Sequence, residues 1–356
     1  MATYAISDIH GAYDEFRALL KKIDFHFDGR DTLYLLGDYA DWGEKSIETL
    51  IMIREMDQEY SFVHCLMGNH ELMFLQTVDS GYDGSNPGMQ AQNWLYNNRG
   101  SVTWNGYAAL EEDQKKDLIR WMRSLRYSCD VSVGGVNYML AHAYPYYYDM
   151  YWRADEIKKH KMDAVWRRLL LREDPFAGYK GVRNYDCLIC GHTISDIYYQ
   201  EARLESSWPL RITTENVRNR IFKAEKFIDI DCGAKCMDIA EDAVELLQLA
   251  SMRAQLAALR LEDLQGFYVH RAITKLAEQS IPELTVPELH LPQIRFPELN
   301  VPELHLPQVR LPEMHMPEMH IPEVKLPEVK MPQVRLPQIK FPMPRGSDPG
   351  GWFKNR

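Results

Sequence analysis

No apolar run in this chain of 356 residues reaches the roughly 18 to 20 residues that a membrane-spanning helix needs, so no membrane span is expected. The opening residues, Met1 to Asp8, hold no basic cluster and no apolar core. No signal peptide is therefore expected, and the strand that begins almost at once reads as a native start. Basic excess is also missing: 41 Lys and Arg face 51 Asp and Glu, a formal charge of −10. A broad nucleic-acid-binding surface is usually basic, and none is expected here. Cysteine is scarce, with six residues at 65, 129, 187, 190, 232 and 236. A disulfide framework is not expected in a chain this long without a secretory signal, and the compartment reads as the cytoplasm. Cys187 and Cys190 form a C-x-x-C inside the apolar run Cys187-Leu-Ile-Cys190, which reads as small core residues rather than a redox or zinc pair.

What is present divides in two. Up to about residue 270, short apolar runs alternate with amphipathic stretches, the pattern of an α/β domain. Helices are predicted near 12–23, 44–57, 111–126, 154–172 and 238–256, and a last strand at Leu256–Leu261. From 281 to 345 the chain repeats every five residues, with thirteen prolines at 282, 287 and onward to 342. A proline every fifth residue excludes an α-helix, and an odd period sends successive prolines to opposite faces of any strand. An extended, polyproline-II-like or disordered chain is expected there, or an unusual solenoid. The predicted division is a catalytic domain over 1–270, a linker over 271–280, the repeat over 281–345 and a flexible tail over 346–356.

Five apolar runs end in polar clusters. Thr3–Ile6 leads to Ser7-Asp8-Ile9-His10-Gly11, and Thr32–Leu36 to Gly37-Asp38-Tyr39-Ala40-Asp41. Phe62–Met67 leads to Gly68-Asn69-His70-Glu71, Val136–Leu140 to Ala141-His142-Ala143, and Cys187–Cys190 to Gly191-His192-Thr193. Strands that release such residues at one end converge them on one site. Carboxylate and amide oxygens combined with imidazoles suit manganese, iron or zinc.

D-x-H-G, G-D-x-x-D-x-G and G-N-H-E, in that order, resemble the phosphoprotein phosphatase branch of the metallophosphoesterases, and within it the bacteriophage lambda type of serine/threonine phosphatase. The likeness extends through Asn93-Trp94-Leu95, Arg99-Gly100, His142-Ala143-Tyr144-Pro145 and Trp166-Arg167-Arg168 to Ile228-Asp229-Ile230-Asp231-Cys232-Gly233-Ala234. It implies a calcineurin-like α/β β-sandwich flanked by helices, and a hydrolase with two divalent metal ions, manganese first and iron or zinc as alternatives. By position it implies metal ligation by Asp8, His10, Asp38, Asn69, His142 and His192, with Asp38 shared between the ions. His70 is implied as general acid and Asp41 as the carboxylate that orients it. Arg168 is implied as a phosphate ligand, with Asn69 also at the substrate. Glu71 reads as a structural neighbour and Asp14 as a helix-face residue.

One position departs from the pattern: where the family carries an arginine after Asp41, this chain has Trp42. Another cation (Arg168, Arg167 or Lys45) could replace it, Trp42 could stack on an aromatic substrate, or Trp42 could be a packing residue of a slow enzyme. The expected substrates are phosphoproteins or small phosphomonoesters, with dinucleoside polyphosphate hydrolysis as the alternative. Tyr144–Tyr148 with Tyr151 and Trp152 could line the cleft or form a surface loop. The repeat resembles the short proline-containing repeats of periaxin. Its eight Glu and seven Arg or Lys nearly balance, and it carries two apolar residues per unit with four histidines at 290, 305, 315 and 320. It could act as a spacer, or bind a protein partner or itself, with the phosphatase as cargo.

Overall fold

The computed structural model describes residues 1–147, 151–177, 184–205, 218–238 and 253–271. The repeat of 281–345, its tail and positions 272–280 of the linker lie outside these residues, as do positions 239–252 of the predicted helix 238–256. The chain divides into two units, Met1–Thr285 and Val286–Arg356, and every described residue belongs to the first.

The first half alternates β1 (Thr3–Ile6), α1 (Tyr13–Lys22), β2 (Thr32–Leu35), α2 (Ser46–Glu59), β3 (Val63–Cys65) and α3 (Asn69–Asp79). α1 shows why such a segment is helical. Asp14 and Glu15 meet the positive N-terminal end, Lys21 and Lys22 the negative C-terminal end, and Phe16, Leu19 and Leu20 bury one stripe. A short α4 (Met89–Gln92) runs through a π-helical turn at Asn93–Asn97 toward α5 (Gly100–Ala108) and α6 (Glu112–Ser124). The second half holds β4 (Ser128–Val133), β5 (Val136–Ala141), α7 (Ala154–Trp166), β6 (Cys187–Cys190), α8 (Asp196–Glu205), β7 (Phe222–Lys223) and β8 (Phe227–Asp229). A 3-10 turn, Ala234–Asp238, precedes β9 (Leu256–Arg260) and β10 (Gln265–Val269).

These strands make two five-stranded sheets, ordered β10-β9-β1-β2-β3 and β4-β5-β6-β8-β7. β1, β2 and β3 run parallel, as do β5, β6 and β8, so their carboxyl ends share an edge within each sheet. The two-residue period of β5 divides its side chains between two cores. Tyr138 and Leu140 join Ala5, Tyr34, Leu36, Ile189, Ile228 and Leu259 in a cluster drawn from both sheets. Met139 and Ala141 instead pack with Leu188, Tyr198, Phe222 and Phe227 on the opposite face. Burying each large apolar side chain contributes about 1.5 to 3 kcal/mol, so both faces of the second sheet hold it in register.

The expected α/β sandwich is thus observed, and the strand expected at Leu256–Leu261 is β9, but it is not the last, because the chain turns back and pairs β10 antiparallel against it. One helix is shorter than expected. α7 stops at Trp166 because Arg167 turns extended (φ −75°, ψ 120°), and the Trp166 carbonyl accepts the His192 Nε2–H at 3.2 Å. Arg168 therefore leaves an extended segment rather than a helix. All six cysteines are free thiols, with Cys190 buried and Cys187 half-buried.

Candidate metal centre

Asp8 and His10 follow β1, Asp38 and Asp41 follow β2, and Asn69 and His70 open α3 just beyond β3. His142 follows β5 and His192 follows β6. All eight side chains are buried, at 6% exposure or less. The exits are sharp: Asp8, His10, Asp38, Asp41, Trp42 and His192 all adopt positive φ between 48° and 71°. A side chain held in that region costs about 1 to 3 kcal/mol, and such residues gather at functional sites. Backbone bonds tie the exits together, Asp8 N–H to the Gly37 carbonyl, His10 N–H to that of Asp38 and Gly191 N–H to that of His142. Two glycines make room. A Cβ on Gly68 would lie 2.3 Å from Asp38 Oδ1, and one on Gly191 would lie 2.1 Å from Asp8 Oδ2. Glu71 closes the β2 exit, accepting the N–H groups of Asp38 and Tyr39 (2.8 Å each) and Gly68 (3.0 Å).

Three histidines use one ring nitrogen in the same manner. His10 Nδ1 donates to the Ala40 carbonyl at 3.1 Å, His142 Nδ1 to that of Leu36 at 2.9 Å, and His192 Nε2 to that of Trp166. Each bond selects the tautomer whose other nitrogen carries a lone pair, and those nitrogens turn toward Asp38 or Asn69. His10 Nε2 lies 3.6 Å from Asp38 Oδ2, and His142 Nε2 lies 3.4 Å from Asp38 Oδ1. Asn69 Oδ1 stands 2.9 Å from His142 Nε2 and 3.0 Å from His192 Nδ1. Two donor groups thus share Asp38: His10–Asp38–His70 and Asp38–His142–His192, each with its donor atoms within 4.8 Å of one another.

These residues fit divalent cations. Asp8 Oδ1 and His10 Nε2 are buried, 3.8 Å apart, and neither has a hydrogen-bond partner. Burial, then the charges of Asp231 and Asp38, pushes the Asp8 carboxyl well above its ordinary range. Burial drives the His10 imidazole well down, and burial with His142 lowers His192 to about 3, so both rings stay neutral. The Asn69 oxygen faces two imidazole lone pairs, which repel it unless a cation lies among them or the amide turns over to donate. Converging lone pairs with buried carboxylates make a cation site of mixed oxygen and nitrogen type.

His70 differs from the other three. Its Nδ1 bonds Asp41 Oδ2 at 2.5 Å, and its Nε2 faces Asp38 Oδ2 at 3.8 Å. Burial alone would lower its pKa, but Asp38, then the hydrogen bond and charge of Asp41, with Glu71, raise it to about 9. Asp41 is itself held by Trp94 Nε1 at 2.6 Å and by the Thr103 hydroxyl.

Residues 1–196 match the sequence profile described as calcineurin-like phosphoesterase. The chain belongs to the calcineurin-like phosphoesterase family. It is 34% identical over 123 residues to a symmetrical bis(5'-nucleosyl)-tetraphosphatase of Enterobacter sp. (strain 638), covering 35% of this phosphoesterase and 36% of that protein. It is 40% identical over 87 residues to the protein of the same name from Escherichia coli O139:H28, covering 24% and 29%. The chain thus spans about a third of the length of the curated relatives it matches. Among solved structures, it resembles a protein serine/threonine phosphatase from Saccharomyces cerevisiae (12% identity, TM-score 0.41, covering 73% of this chain and 72% of that one). It also resembles a metallophosphoesterase from Sphaerobacter thermophilus (14%, TM-score 0.40, covering 79% and 95%).

Around this phosphoesterase's centre the structure gathers Asp8, His10, Asp38, Asn69, His142 and His192, with His70 and Asp41 beside them. Arg168 is exposed and reaches Thr193 Oγ1, next to His192, at 3.3 Å. Lys45 instead pairs with Asp14 at 2.6 Å and lies over the Tyr13 ring, and Arg167 pairs with Glu173. Of the aromatic segment, Tyr144 packs under the Arg167 guanidinium and Trp152 stacks on His160, while Tyr148 lies outside the described residues. Sequence reasoning assigned no role to Trp94, Arg99 or Thr103. The only available signal was their membership of one motif-bearing segment.

Proposed function

We propose that this phosphoesterase hydrolyses phosphomonoesters, with serine/threonine phosphoproteins or a broad phosphoester range as substrates. The observation that carries the reading is the convergence of two donor groups on Asp38 with the His70–Asp41 pair at their edge. Asp8, His10, Asp38, Asn69, His142 and His192 would hold two divalent ions, manganese foremost. Such ions supply Lewis acidity and a water that ionises near neutral pH. The protein's own part is positional. Asp41 fixes a proton on His70 Nδ1, which leaves Nε2 to carry the proton given to the leaving oxygen. Arg168 offers a planar fork to phosphate oxygens from the His192 side. Buried backbone bonds hold every one of these exits in place before substrate arrives.

A second reading, dinucleoside polyphosphate hydrolysis, draws support from the symmetrical tetraphosphatases at 34% and 40% identity. The catalytic unit is taken as residues 1–270, acting in the cytoplasm, and the 281–345 repeat as a docking or self-association element. No helix among the described residues is long and apolar enough to cross a membrane. The deciding experiment is p-nitrophenyl phosphate hydrolysis by wild type and Asp38→Asn, with Mn²⁺ and with chelator. Metal-dependent turnover that disappears in the variant supports the reading, and turnover that survives in Asp38→Asn with chelator overturns it. Phosphopeptides and diadenosine tetraphosphate then rank the two substrate classes. Ending the chain after Ser280 keeps small-ester hydrolysis and removes self-association if the repeat is a docking element.

A further inference from the structure

Trp42 directly follows Asp41 of the candidate centre. Asp41 on one side bonds His70, Trp94 and Thr103, and Gly43 on the other donates its N–H to the His10 carbonyl at 3.0 Å. Between these anchors Trp42 is held at φ 66°, half-buried. Its ring carries the Arg99 guanidinium, with Arg99 Cζ 5.5 Å from the ring centroid. The Arg99 backbone is anchored on both sides. It lies between Trp94, which bonds Asp41 from the π-helical turn, and Thr103, which bonds Asp41 from the first turn of α5. The Arg99 backbone is itself left-handed, φ 52° and ψ 25°, where glycine would sit without strain, yet a long exposed cation stands there.

We propose that Arg99, propped on the face of Trp42, is a second phosphate-binding cation of the centre, opposite Arg168. A phosphoryl group carries three charged non-bridging oxygens, and guanidinium forks match them two at a time. Arg168 stands by His192, on the side of the Asp38–His142–His192 group. Arg99 lies over the ring of Trp42, the residue that follows Asp41, whose carboxylate bonds His70 of the His10–Asp38–His70 group. Lys45, three residues past Trp42, is ion-paired to α1 through Asp14. Trp42 acts through Arg99 as a positioning residue: its ring replaces water around the guanidinium and limits its orientations.

This inference rests on the phosphoesterase reading, and the experiment separates the two. Arg99→Gly removes the cation and suits the backbone, and Arg99→Lys retains the charge without the fork. Kinetics on p-nitrophenyl phosphate, competitive inhibition by inorganic phosphate, and bound metal by mass spectrometry are measured on the full chain. Arg99→Gly is expected to lower kcat/KM by about 10²-fold and weaken phosphate inhibition about 10-fold, with metal content unchanged. Arg99→Lys falls between. Trp42→Phe keeps a ring face and stays within about threefold of wild type, whereas Trp42→Leu loses about five- to tenfold. If Asp38→Asn is inactive while Arg99→Gly matches wild type in kcat/KM and phosphate inhibition, Arg99 is no ligand and this proposal falls alone. If Arg99→Gly loses metal together with activity, its role is structural, and the proposal is equally overturned.

Discussion

His10, His142 and His192 each commit one ring nitrogen to a backbone carbonyl, whereas Arg99 and Arg168 are placed through other side chains. The inner cluster is buried and joined by main-chain bonds between strand exits. The rim is exposed and rests on a tryptophan face and a threonine hydroxyl. The contrast has a physical reason. In the proposed centre, displacing a lone pair aimed at a shared cation would remove a ligand, which suits inner residues held by backbone bonds. A phosphate-binding cation needs only to reach an oxygen, so its origin in the chain can change if a support is built for it. If Arg99 binds phosphate as proposed, Trp42, which stands where the resembled phosphoprotein phosphatases carry arginine, is such a support.

Substitutions test this contrast from its strongest side outward. Asp38→Asn removes the one negative charge shared by both donor groups, and turnover is expected to fall by about 10³-fold or more with lost metal, checked by kinetics and metal analysis. His70→Asn leaves the six proposed ligands in place but removes the proton donor, and metal content is expected to stay at the wild-type level. Its loss should reach about 10²- to 10⁴-fold on phenyl phosphate and be far smaller on p-nitrophenyl phosphate, whose leaving group needs no proton. Equal losses on the two esters would show that His70 does not act as the acid. Arg168→Ala is expected to cost about 10-fold, mainly in KM, without changing metal content. An effect as large as that of Asp38→Asn would erase the distinction between centre and rim. Thr103→Val is the mildest. It keeps the shape but strips Asp41 N–H of its acceptor at 3.0 Å, costing about 1 to 3 kcal/mol in chemical denaturation and only a few-fold in kcat.

Much of the inner cluster was legible because its determinants are local. An apolar strand followed within a few positions by glycine and a polar ligand type delivers that residue to a strand end, and five such exits in parallel strands point to one place. The buried Cys190 likewise follows from its apolar run. Legibility failed where partners are distant. Trp94 and Thr103 reach Asp41 across 53 and 62 residues, and nothing in their own spacing marks them. The end of α7 was misjudged because apolar periodicity continues past Trp166. What stops the helix is a tertiary hydrogen bond from His192, 26 residues away.

The residue types, their order after each strand and the family they resemble were determined by the sequence alone, since strand period and glycine exits are short-range properties of the chain. Which nitrogen of each histidine faces inward was decided only by the fold, because the carbonyls of Ala40, Leu36 and Trp166 are brought to the rings by packing. The same is true of the guanidinium on Trp42: its neighbours in space are 57 positions apart in sequence, and only the anchoring of both segments to Asp41 makes them meet.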